Sequence, residues 1–172
     1  FALIQFRSEF AYAQSSYEFF KQEGKTGLKD QTGSVTIPAI YEQLGWSKGL
    51  DLPVDNVVGY YNNGWGLIST KNRVITSPRY YSLEAQHKNL IIASVKGRFS
   101  NELFYGALNS KGEVVIDFKY HSLTPVQNLI IVSERKKDKS NYGLLDRNGK
   151  QLLPTSFKRI SYFKDDLFVF TS

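Results

Sequence analysis

The chain has 172 residues, 41% of them hydrophobic and 15% aromatic, which excludes a disordered polar polymer and leaves enough apolar material for a proper core. It contains no cysteine, so disulfides, thiolate metal sites and cysteine nucleophiles are excluded. Lys and Arg exceed Asp and Glu by 22 − 16 = 6, a balance that fits a surface kept apart from its copies by charge better than a binder of nucleic acid or membrane.

In chain order, Phe10-Ala11-Tyr12-Ala13 reads as a strand inside a partial repeat, residues 1–16, and its frame Phe6-x-x-x-Phe10 parallels Phe163-x-x-x-Leu167. The first full pattern is anchored at Gly27, with Gly33 six residues on, Tyr41 eight further and Leu44 three beyond. The same series recurs from Gly66 (Asn72, Tyr80, Leu83), Gly106 (Gly112, Tyr120, Leu123) and Gly143 (Gly149, Phe157, Ile160), at spacings of 39, 40 and 37 residues. A period in this range belongs to units that cannot bury an apolar face alone and stack in order to do so.

Within each unit the anchor strand runs into a four-residue turn: Asp30-Gln31-Thr32-Gly33, Ser69-Thr70-Lys71-Asn72, Asn109-Ser110-Lys111-Gly112 and Asp146-Arg147-Asn148-Gly149. The first side chain can accept a backbone N–H two residues on, and the fourth residue tolerates a left-handed backbone, so a type I turn closed by a glycine bulge is predicted. A second strand follows, which Pro38, Pro78 and Pro154 are expected to end. The aromatic-x-x-aliphatic segment then suits a turn of helix or a tight corner. Leu90-Ile91-Ile92-Ala93 and Leu129-Ile130-Ile131-Val132 are continuous apolar runs, expected as strands covered on both faces, and Leu167 to Phe170 matches them. Hairpin tips of variable length are expected at Gln14–Ser16, Tyr60–Gly64, Lys96–Glu102 and Arg135–Asn141, and residues 45–53 form an insertion.

The expected fold is therefore all-β, a tandem repeat of about four ~39-residue antiparallel β units with three or so strands each. One repeat domain spans residues 1–172, with repeats near 17–56, 57–95, 96–132 and 133–172. An open curved array is the preferred arrangement, and a propeller-like closed ring also fits the period.

These residues resemble the WG β-repeat family of bacterial proteins, also described as KWG repeats. Gly64-Trp65-Gly66-Leu67-Ile68 carries the name-giving motif, Tyr105 and Tyr142 stand in for its Trp, and Lys25-Thr26-Gly27 lacks the aromatic. The resemblance implies a bacterial repeat protein, exported or associated with the cell envelope, with no common activity. The start at Phe1 and the absence of Met read as a processed or excised fragment.

Little here suits catalysis. His87 and His121 occupy different positions in their repeats, and Asp30 and Asp146 sit where Ser69 and Asn109 serve as well, so turn capping accounts for them. Gly27, Gly66, Gly106, Gly143, Gly33, Asn72, Gly112 and Gly149 are read as structural repeat positions, and no metal or cofactor is expected. The run Arg135-Lys136-Lys137-Asp138-Lys139 reads as a solvated hairpin tip. Trp46, Tyr60, Tyr61 and Tyr81 do not recur at equivalent sites, so the repeat does not require them. Exposed together they would form the hot core of a protein interface or a platform for sugar stacking. The first functional expectation is a non-enzymatic protein-interaction or scaffold module, with a cell-surface glycan-binding module second. Another protein is the expected partner, with nucleic acid and a membrane-spanning segment not expected.

Overall fold

A computed structural model describes residues 17–48, 52–86, 90–98, 101–136, 139–164 and 167–171. The expected strand at 10–13, the tip at 14–16 and His87 lie outside these residues. All regular structure among the described residues is β, in five antiparallel sheets. The first holds β1 (Tyr17–Gln22), β2 (Lys25–Asp30) and β3 (Val35–Tyr41). Three four-stranded sheets follow, each ordered as its strands are in the chain. They comprise β4 (Gln43–Gly45), β5 (Val57–Tyr61), β6 (Trp65–Ser69) and β7 (Val74–Tyr80); β8 (Ser82–Gln86), β9 (Leu90–Lys96), β10 (Leu103–Leu108) and β11 (Val114–Tyr120); β12 (Ser122–Val126), β13 (Leu129–Lys136), β14 (Lys139–Asp146) and β15 (Gln151–Phe157). The last is the pair β16 (Arg159–Lys164) and β17 (Leu167–Thr171).

The predicted turns form in all four units. Asp30 Oδ1 accepts from the amides of Thr32 (2.8 Å) and Ser34 (3.1 Å), and Asp146 Oδ1 does the same for Asn148 (2.8 Å) and Lys150 (2.9 Å). Asn109 Oδ1 takes Lys111 and Glu113, both at 3.0 Å, and Ser69 Oγ takes Arg73 at 3.1 Å. The fourth residues have φ of +81° (Gly33), +58° (Asn72), +79° (Gly112) and +82° (Gly149), the left-handed backbone the bulge needs.

The anchor glycines have a different cause. In every unit three residues of the outer strand oppose the single anchor: across Gly66, Trp65 pairs with Tyr80 while Leu67 pairs with Thr76. Gly27, Gly106 and Gly143 face the same irregularity. The bulge drives a carbonyl of the outer strand against the glycine, so that an added Cβ would lie 2.7 Å from Thr76 O at Gly66 and 2.6 Å from Ile116 O at Gly106. Close approach, not φ, fixes glycine at these positions.

Two expectations need correction. Pro38, Pro78 and Pro154 do not end their strands, because β3, β7 and β15 run through them to Tyr41, Tyr80 and Phe157. These are edge strands, bulged at that point, where a missing N–H costs no ladder bond. Of the two readings of the segment after the aromatic, the tight corner is the one found: one residue bends, and the chain enters the first strand of the next sheet. The three central sheets are thus four-stranded, and the sheets run out of phase with the sequence repeats. The Arg135–Asn141 tip is also shorter than expected, since β13 and β14 pair out to Lys136 and Lys139.

Apolar cores lie between successive sheets. Leu28, Ile37, Val58 and Ile68 join the first two sheets; Leu67, Leu83, Ile91 and Leu108 join the next two; Leu90, Ile116, Ile130 and Leu145 join the third and fourth; Ile131, Leu144 and Ile160 form the last. The continuous runs therefore divide residue by residue, Ile91 and Ala93 facing backward while Leu90 and Ile92 face forward. Each fully buried Leu or Ile contributes roughly 1.5–3 kcal/mol. Contacts between sheets join neighbours along the chain, β2 to β4, β6 to β8, β10 to β12 and β14 to β16, and no sheet closes into a barrel among the described residues. That is the pattern of an open array. Among the described residues no helix is long and apolar enough to cross a membrane.

Candidate binding groove

At the second sheet the chain turns through Asn62-Asn63-Gly64, the short Asn-Gly hairpin that the sequence signals, with Asn63 at φ +53° and the Asn62 amide donating to Gly64 O at 2.9 Å. So tight a tip leaves no overhang. On one side it presents Tyr61, whose ring meets Trp65 edge-on at 5.5 Å. Opposite, the bulge in β7 delivers Arg79 outward and Tyr80 inward, where Tyr80 stacks on Phe118 at 5.7 Å.

Tyr81 forms the corner. Its amide donates to Ser94 O at 2.8 Å, fixing the bend, and its side chain stays 54% exposed. Lys96, at the end of β9, places Nζ 5.2 Å from the Tyr81 ring centre, and the Arg79 guanidinium lies 5.2 Å from that of Tyr80 while Nη2 donates to its hydroxyl at 3.0 Å. Together these groups line an open groove of about 440 Å³. Arg79 and Lys96 form no ion pair with a described residue; those of Glu102 with His121 and Arg135 lie elsewhere.

The four singled-out aromatics separate into two pairs. Tyr61 and Tyr81 share the groove. Trp46 is 9% exposed, with Nε1 donating to Leu52 O at 2.9 Å, and shows only an edge to a neighbouring hollow of about 360 Å³ beside Phe19, Lys21 and Trp65. Tyr60 is 4% exposed, its hydroxyl donating to Thr76 O at 3.1 Å and its ring 5.0 Å from Tyr41. They form no contiguous exposed patch. The repeat itself carries the signal: Tyr60 pairs with Gly66 as Ala93 pairs with Gly106 and Val132 with Gly143, and Ala93 and Val132 are fully buried. Burial pushes the Tyr60 phenol up, with Tyr41 beside it adding to the effect, and burial likewise raises Tyr41.

The other chemistry-bearing residues are absorbed locally. The Thr32 hydroxyl, then the Thr32 and Ser34 amides, hold the Asp30 carboxyl below its ordinary value of 3.8. His121 Nδ1 accepts from the Arg135 amide at 3.1 Å, Nε2 stands 4.0 Å from Glu102, and the ring meets Phe104 edge-on at 5.3 Å. Among the described residues no three of His, Cys, Asp or Glu gather as a metal site would require.

Matched turns, matched bulges and cores held between sheets define an all-β tandem-repeat protein. The profile of the WG containing repeat matches residues 65–99, 105–137 and 142–171, and the chain belongs to this family. The unit at Gly27 lies outside the matched residues yet has the same turn and bulge. No curated protein and no solved structure matches the chain.

Proposed function

We propose that this is a non-enzymatic module that binds another protein, serving as a scaffold element within a larger bacterial envelope or exported assembly. One observation carries the reading: an open groove in which Tyr61, Tyr81 and Arg79 stand together, residue types that dominate the energetics of protein interfaces. The paired carboxylates that acid–base chemistry would use are engaged instead in holding turns. A glycan platform built on four exposed aromatics is less well supported, because Trp46 and Tyr60 are buried.

Photo-crosslinking in the source cell tests the reading. A crosslinker at position 81 should give a discrete protein adduct, and one at the exposed Thr124 on β12 should not. No adduct at position 81, or the same adducts from both positions, counts against it.

A further inference from the structure

We infer that the groove between the second and third sheets receives an acidic peptide segment, whose carboxylates are taken by Arg79 and Lys96. This rests on the protein-binding role proposed above and names the chemistry of its partner.

Arg79 and Lys96 are the charged side chains lining the groove, both are cations, and neither has a carboxylate among the described residues. At the next corner Arg135, the counterpart of Lys96, does have a carboxylate: its Nη1 meets Glu102 Oε1 at 3.3 Å. The groove's electrostatic complement must therefore come from outside.

Each cation is held against a tyrosine ring rather than left free, Lys96 over Tyr81 and Arg79 over Tyr80, so less side-chain freedom is lost when an anion arrives. Arg79 already gives one N–H to the Tyr80 hydroxyl, leaving other guanidinium donors for a carboxylate.

Shape and surface decide between a peptide and an acidic sugar. A sugar needs the open face of an aromatic ring. Tyr81 has Lys96 over its ring, and Tyr61 is engaged edge-on with Trp65. A peptide needs an open groove with cations on its walls, and this one is lined by Asn63, Gly64, Tyr81, Arg79 and Lys96, with no side chain at Gly64 to fill it. The occupant is thus a short run of Asp or Glu on a partner protein.

The test is titration of the purified chain with blocked hexaglutamate, hexaglutamine and trigalacturonate, followed by calorimetry. Saturable binding of hexaglutamate, with hexaglutamine and trigalacturonate at least about tenfold weaker, is the expected result. The pair Arg79→Gln with Lys96→Gln should weaken hexaglutamate about tenfold, and Arg98→Gln, an exposed cation outside the groove, less than about twofold. All three positions tolerate a neutral polar side chain at the surface, and unchanged thermal midpoints verify folding. Tighter binding of trigalacturonate assigns the groove to acidic sugar and overturns the inference. So does an equal loss from Arg98→Gln, which marks diffuse charge attraction, or an absence of saturable binding. No saturable hexaglutamate binding by the unsubstituted chain, with the position-81 adduct still formed, would sink this inference alone and leave the protein-binding role standing.

Discussion

The corner after β7 and the corner after β11 are the same backbone built twice, and they end differently. Tyr81 donates its amide to Ser94 O and His121 donates its own to Ser133 O, each at 2.8 Å, and the serines bond in turn to Ser82 and Ser122. Two residues before the anchor glycine, however, the second sheet has Gly64 and the third has Phe104. Phe104 lies against His121, and Glu102 from the longer tip bridges His121 and Arg135. One corner is filled and gives Arg135 a carboxylate, although Lys119, in the place of Arg79, lies over Tyr120 without an ion pair among the described residues. The other is open, with its cations unmatched. A repeat protein can thus open a groove by removing a side chain from one copy while the scaffold is left alone.

The largest effects are expected in the scaffold that both corners share. Gly66→Ala should cost about 3 kcal/mol, since its Cβ would meet Thr76 O and the Tyr60 ring, and Gly106→Ala should cost a similar amount. Urea unfolding measures both, and a cost below about 1 kcal/mol at either would deny that close approach fixes the glycine. Phe104→Gly should sharpen the contrast by emptying the third corner. It should lower stability by about 2 kcal/mol and increase the hydrogen exchange of the Arg135 amide, which donates to His121. Unchanged exchange would mean that Phe104 does not hold His121 in place.

Two smaller effects depend on pH. The Tyr60 and Tyr41 phenols are raised above 10.0, so the unfolded chain releases these protons first. Their contribution is present below pH 10 and should be lost as pH rises through the folded values. Tyr41→Phe should flatten that alkaline loss of urea midpoint, and an unaltered profile would refute the assignment. Asp30 works in the opposite sense: lowered below 3.8, it contributes above that pH and loses its contribution as pH falls through its folded value. Asp30→Ala should produce the smallest change of all, a slightly shallower acid transition in the same assay.

Much of this architecture was legible in the chain. Turns with Asp, Ser or Asn first and Gly or Asn fourth need no tertiary information, and all four formed. The anchor glycines were legible as positions of turn or close strand approach, but the bulge opposite them was not, because it is a pairing event. Pro78 misled for a related reason: proline ends a central strand, and only the sheet order shows that β7 is an edge. The groove was half visible. Aligning Gly64 with Phe104 exposes a small-for-large exchange, whereas judging Tyr60 by its failure to recur missed that its counterparts Ala93 and Val132 point inward. Equivalence by pairing register, not by residue type, tells which aromatics reach solvent.

The four turn positions differ in the room around them. A Cβ at Gly33 would meet nothing within 4 Å, and the second sheet carries Asn72 at the same place. At Gly112 it would strike Thr76 and Ile75, and at Gly149 the carbonyl of Val115, because these two turns rest on the outer strand of the preceding sheet. The units are therefore not interchangeable. Transplanting the second unit's turn into the third would wedge an amide side chain into a seam that admits none, so gene-level shuffling of these modules is constrained by the order in which they already stand.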